Sequence, residues 1–151
     1  MPSVSTHINA SAMHVWQLVS DIRRIGNWSP ETRSGEWLDG VQEPTVGARF
    51  KGRNKRRGSW STTCRVTAAD PGREFAFTVG RDETRWSYTL AADGDGCELT
   101  ESFEIVKAPG PLGRWLTRLG TGVSWSERET DLVDGMRQTL ARIKAAADGA
   151  A

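Results

Sequence analysis

Cysteine, histidine and tyrosine are scarce in this chain of 151 residues, which holds two, two and one of them. Cys64 and Cys97 fall in separate strand-like runs and share no metal-ligand spacing, so reduced thiols and a cytoplasmic setting are the simplest expectation. His7 takes the outward parity of a strand and His14 lies off the apolar stripe of a helix, which removes the usual general base and the usual metal ligand. Glycine-rich phosphate loops, nucleophile elbows and Cys–His pairs are missing, so no cofactor and no metal is expected. Asp93-Gly94-Asp95-Gly96 resembles the start of a calcium loop but lacks its closing glutamate, and reads as a hairpin turn. No apolar run approaches the ~18 residues that a membrane helix needs, and Met1 to Thr6 has neither the basic start nor the apolar core of a secretion signal, so no membrane insertion is expected. A net charge of +1 favours no polyanionic partner.

What the chain does have is an ordinary globular composition, with 37% hydrophobic and 26% charged residues in a length that suits one domain spanning 1–151. Seven tryptophans add large apolar surfaces, each with one N–H that needs a partner. The C-terminal segment from Trp125 to Ala147 carries Trp125, Leu132, Met136, Leu140 and Ile143 at helical spacing. Ser124-x-x-Glu127 predicts a capping box at its start, and residues 145–151 are expected to fray.

Upstream of that helix the pattern is mostly of period two. Val4, Thr6 and Ile8 alternate in a first strand. Ser11 is among the N-cap candidates for a helix striped by Val15, Leu18, Val19 and Ile22, and a second short turn ends at Pro30. Strands are then expected at Thr32–Leu38, Arg49–Lys55, Ser59–Ala69, Glu74–Val79, Thr84–Ala92 and Cys97–Val106. Pro109-Gly110-Pro111 ends the sheet, and Leu112, Trp115, Leu116 and Leu119 form a short amphipathic helix.

Strand parity sorts the side chains. Phe50, Trp60, Cys64, Phe75, Phe77, Trp86, Leu99 and Phe103 fall on one face, and four polar residues share it: Asn54, Thr62, Tyr88 and Glu101. Glu101 is the sharpest of these, because a bare carboxylate among apolar neighbours costs several kcal/mol unless it is paired, protonated or wetted in a cavity. Tyr88, Asn54 and Thr62 offer hydrogen bonds to a ligand, and Tyr88 with Glu101 is the candidate catalytic pair. Glu129 falls within the stripe of the last helix, between Trp125, Leu132 and Met136, and also sits in a first turn that welcomes an anion; if it and Glu101 both face a cavity, Arg128 is the expected counter-charge. Gly135 in mid-helix suggests close packing or deliberate room. Of the basic run Arg49, Lys51, Arg53, Lys55, Arg56 and Arg57 the first four occupy alternate positions, a solvated strand face, and Arg56-Arg57-Gly58 reads as the hairpin turn after it, which argues against nucleic-acid binding.

This order of elements, and several of the residues, resemble a known superfamily. Ile8 to Trp16 followed by Asp21, then Trp28-Ser29-Pro30-Glu31, Gly47 to Gly52, Pro71-Gly72-Arg73-Glu74-Phe75, Arg85-Trp86-Ser87-Tyr88 and Leu99-Thr100-Glu101-Ser102 are similar to SRPBCC proteins, which include START-like, birch-pollen-allergen-like and polyketide cyclase/dehydrase members. The resemblance implies an α+β helix-grip fold: a curved antiparallel sheet of about seven strands wrapped around a long C-terminal helix, with two short helices between strands 1 and 2. It also implies a cavity between sheet and helix for a hydrophobic small molecule, lipid or polyketide-like. That turns the aromatic stripe Trp60, Phe75, Phe77, Trp86 and Trp125, with Leu132, Met136 and Glu129, from plain core into expected cavity lining. Three functions are then open: a carrier or sensor of such a ligand, an aromatase/cyclase or dehydratase in the same cavity, and a partner-binding module whose core is filled.

Overall fold

The computed structural model describes residues 1–148. Seven strands, β1 (Ser3–Ile8), β2 (Thr32–Trp37), β3 (Arg49–Lys55), β4 (Ser59–Asp70), β5 (Glu74–Val79), β6 (Thr84–Asp93) and β7 (Gly96–Ile105), form one antiparallel sheet in the order β1-β7-β6-β5-β4-β3-β2. Strands β2 to β7 follow one another as hairpins, so only β1 has crossed from one edge to the other. The crossing is made by α1 (Ala12–Ser20), a single 3-10 turn and α2 (Ile25–Trp28). Two further helices follow the sheet, α3 (Pro111–Thr121) and α4 (Trp125–Asp148).

Local chemistry explains the boundaries. Ser11 caps α1, its hydroxyl accepting the His14 amide at 3.1 Å. Gly122 takes a left-handed conformation, φ 79°, and ends α3 as its amide donates to the Arg118 carbonyl. The expected capping box at the start of α4 does not form: the Glu127 amide donates to the Ser124 carbonyl, while the Ser124 hydroxyl bonds that of Ser126. Of the expected fraying tail, 145–148 remain helical and 149–151 lie outside the described residues. Close backbone approach fixes how the crossing helices sit on β2. A Cβ at Gly35 would fall 2.4 Å from the Ile22 carbonyl oxygen, and one at Gly26 would fall 2.1 Å from that of Arg33.

The sheet curls around α4, and its two ends are filled differently. Where α1 and the C-terminal half of α4 lie on it, Val15, Val19, Phe75, Leu90, Leu99, Leu140 and Ile143 make a closed core. Where the N-terminal half of α4 and α3 lie over it, the side chains do not meet.

Candidate functional site

A cavity of about 1040 Å³ occupies that second end, walled by the concave face of β3 to β7, by α3 and by α4. The partner-binding reading with a filled core therefore does not hold. Of the apolar side chains expected to line the cavity, Trp60, Phe77, Trp86, Trp125, Leu132 and Met136 do so. Phe75 does not. It is 1% exposed in the closed core, because its end of the sheet lies beneath α1, whose Trp16 Nε1 donates to the neighbouring Glu74 carbonyl at 2.8 Å.

All four polar residues of inward parity reach the cavity wall, but they are not equivalent. Asn54 is already occupied: its Oδ1 accepts from the Thr32 hydroxyl at 2.7 Å and its Nδ2 donates to Thr62 Oγ1 at 3.3 Å. Asn54 and Thr62 thus form a self-satisfied polar strip. Glu101 is different. It is 4% exposed, and its Oε1 has no hydrogen-bond partner among the described residues. Burial drives its pKa up to about 8, and interaction with Tyr88 only partly opposes this. Tyr88 is the residue opposite on the next strand and is itself buried; burial first, then the Glu101 carboxyl, pushes its hydroxyl well above the ordinary range. The two side chains influence each other without a close hydrogen bond between them. Glu101 is therefore chiefly a neutral acid at pH 7.

Glu129 departs from expectation. It is exposed and does not line the cavity. In the C-terminal half of α4 the buried face is Met136, Thr139, Leu140, Ile143 and Ala147, and on that stripe Glu129 would point inward. Over the cavity the facing residues are Trp125, Arg128, Asp131, Leu132 and Gly135, a sector turned by roughly 70° on a wheel of ~100° per residue. That turn carries Glu129 out to solvent.

Arg128 is correspondingly not a counter-charge to Glu101. It makes a bidentate pair with Glu31, both N–O distances being 2.9 Å, and also contacts Asp131. Arg56 completes an alternating ring, 3.0 Å from Asp131 and 3.4 Å from Glu31. Burial alone would raise Asp131, but hydrogen bonds and charge from Arg56 and Arg128 hold it below the ordinary carboxylate value. The ring ties α4, the segment before β2 and the β3–β4 hairpin together at the cavity's edge. Reading along the sequence missed it, since its members come from three distant segments and Arg56 looks like one more charge of a solvated hairpin. Gly135 does make room: a Cβ there would meet only Pro30 Cγ, at an ordinary 3.6 Å. Among the described residues no cluster of His, Cys, Asp or Glu is arranged to hold a metal ion.

A seven-stranded antiparallel sheet gripping a C-terminal helix around such a cavity defines a helix-grip protein of the SRPBCC superfamily. More narrowly, the chain belongs to the family described as polyketide cyclase/dehydrase and lipid transport, whose pattern matches residues 3–148. It is similar to the Polyketide_cyc-like protein Cgl2372 of Corynebacterium glutamicum, at 30% identity over 95% of this chain and 88% of that one, with a TM-score of 0.58. DR_A0006 of Deinococcus radiodurans shares the fold at 15% identity, covering 99% and 97% of the two chains with a TM-score of 0.69. So does the di-domain ARO/CYC StfQ of the steffimycin biosynthetic pathway, at 15% identity and a TM-score of 0.66, where 98% of this chain matches 44% of that one. No curated protein matches the sequence. No described helix is long and apolar enough to cross a membrane.

Proposed function

We propose that the protein binds a hydrophobic small molecule carrying a carbonyl or hydroxyl oxygen, as a carrier or sensor. The observation that carries this reading is a buried acid, Glu101, with one carboxyl oxygen unpartnered, among the residues that line a cavity of about 1040 Å³. That volume lies at the upper end of small-ligand sites, which run to ~1,000 Å³. Its walls are largely aromatic and aliphatic, so burial of apolar surface supplies the affinity. A neutral Glu101 then supplies direction, because its O–H can donate to a ligand carbonyl that would otherwise enter the cavity unpaired. Fatty acids, sterols, aromatic polyketides and flavonoids form the panel to test. A ligand held at 100-fold its Kd adds about 2.7 kcal/mol to folding stability. A clear rise in Tm and a mass adduct in native spectra are therefore expected for at least one class. No shift and no adduct across the panel would sink the proposal.

A second reading, a cyclase or dehydratase acting in the same cavity, is favoured by the juxtaposition of Glu101 with Tyr88. A hydrogen bond from neutral Glu101 to a ketone oxygen stabilises the charge that develops as the ketone enolises. Turnover of a poly-β-keto substrate, lost in Glu101→Gln or Tyr88→Phe while the fold survives, is the expected result. Equal rates in both variants would remove the pair from any mechanism.

A further inference from the structure

Helix α3 is built the wrong way round for a helix of a protein that meets only water. An amphipathic surface helix turns its large apolar side chains to the core and its small or polar ones outward. Of the α3 residues that line the cavity, four are small, Gly113, Thr117, Gly120 and Thr121, and the two large ones, Leu116 and Leu119, stay half exposed. The two threonine hydroxyls fold back onto the helix, Thr117 donating to the Gly113 carbonyl at 2.9 Å and Thr121 to that of Thr117 at 2.7 Å. Leu112 and Trp115 point away from the cavity, 69% and 58% exposed, and Leu116 and Leu119 at its mouth remain 53% and 48% exposed. These four lie at spacings of three, one and three, which makes one continuous face rather than scattered apolar residues.

The charges beside that face have one sign. From Val106 to Ser126 the sequence contains no aspartate or glutamate, yet it carries Lys107, Arg114 and Arg118. Arg114 and Arg118 are exposed and have no ion-pair partner among the described residues, although Arg114 Nε donates to the Pro109 carbonyl at 3.1 Å. The β3–β4 hairpin abuts the same end of the helix, where the Gly58 amide donates to the Gly120 carbonyl at 2.7 Å, and brings the exposed Arg57 alongside. Of the acids that line the cavity, Glu31 and Asp131 are paired with Arg56 and Arg128, Glu101 is buried, and Glu83 is exposed. Leu116 and Leu119 also line the cavity, so the apolar face is continuous with its mouth.

We infer that α3 is a docking element for an anionic membrane surface, with Leu112 and Trp115 entering the interfacial zone and Arg114 and Arg118 meeting lipid phosphates. The match is one of chemistry: a short, cationic, acid-free helix with tryptophan and leucine on one face is what an interfacial helix requires. Charge complementarity decides for an anionic bilayer over a second copy of this chain, since two such faces brought together would oppose arginine to arginine. The docked geometry sets the cavity mouth against the bilayer, so an apolar ligand can pass between them without crossing water. Binding is peripheral, and it does not depend on which ligand the cavity takes.

The test is co-sedimentation of the full chain with vesicles of phosphatidylcholine containing phosphatidylglycerol, against vesicles of phosphatidylcholine alone. Leu112 and Trp115 do not line the cavity, so Leu112→Gln/Trp115→Gln leaves the ligand site intact. That variant should lose association with the anionic vesicles while keeping the parent's Tm and any ligand-induced shift. Arg114→Gln/Arg118→Gln should lower the partition coefficient about 30-fold, at ~1 kcal/mol for each cationic side chain near the surface. Raising the salt should do the same to the parent, since screening shortens to ~3 Å at molar salt. Three results would overturn the inference. One is no association with anionic vesicles; another is association that survives Leu112→Gln/Trp115→Gln. The third is concentration-dependent self-association that this variant abolishes, which would make the occupant a second copy. None of the three touches the cavity proposal, whose ligand shift is read without vesicles.

Discussion

Glu101→Gln isolates the energetics of the buried acid. The substitution keeps the shape of the side chain and removes its titration. In the unfolded chain Glu101 releases its proton near the ordinary value of 4.5, whereas in the folded protein burial holds it to about 8. A carboxyl whose folded pKa is raised binds more protons folded than unfolded, so stability is fully present below pH 4.5 and is lost as pH rises towards 8. Each unit of separation is worth ~1.4 kcal/mol, so the parent should lose about 3–4 kcal/mol between pH 5 and pH 8 that the glutamine variant does not lose. At pH 5 the variant should be level with the parent or slightly weaker, because its amide has an additional N–H to place. At pH 8 it should be clearly the more stable of the two. Urea unfolding of both proteins at several pH values between these limits measures the difference, and all other titrating groups cancel in it. Parallel curves would refute the reasoning, for they would mean that Glu101 ionises in the folded state at little cost, through water or a rearranged partner.

Three further outcomes follow from the geometry. Arg128→Met leaves Glu31 and Asp131 sharing only Arg56; with the Arg128 side chain 12% exposed, the loss should be about 2–3 kcal/mol. A double-mutant cycle with Glu31→Gln should show a coupling above ~0.5 kcal/mol, and simple additivity would argue against the ring. Gly135→Ala and Gly35→Ala should move stability in opposite directions. The first removes a helix glycine where a Cβ has room, raising stability by ~1 kcal/mol and Tm by about 2–4 °C; the second drives a Cβ into the Ile22 carbonyl and should cost about 1–3 kcal/mol. Finally, burial pushes the Cys64 thiol up to about 12, so it should resist iodoacetamide in the native state and react only on unfolding; rapid native alkylation would contradict the burial.

Alternation along single strands was enough to put Asn54, Thr62, Tyr88 and Glu101 on one face, and Glu74–Val79 runs as a strand between the limits its residues predict. Such features are local: the pleat fixes which side a residue takes, whatever the strand packs against. Glu129 and Phe75 show where that logic stops. A helical wheel gives relative angles and not the direction of the core, and that direction changes along α4 as closed packing gives way to the cavity. Parity likewise places Phe75 inward without saying whether α1 covers it there.

The sequence by itself determined the elements, the hairpin order and the presence of a carboxyl on the greasy face, because each depends on neighbours within one strand, turn or helix. Tertiary structure alone decided that Glu101 keeps an oxygen unpartnered, that Glu31, Arg56, Arg128 and Asp131 close into a ring, and that α3 leaves Leu112 and Trp115 facing outward. Each of those is a relation between segments far apart in the chain. Their distances and burial, which set pairing and protonation, exist only once the sheet has curled around α4.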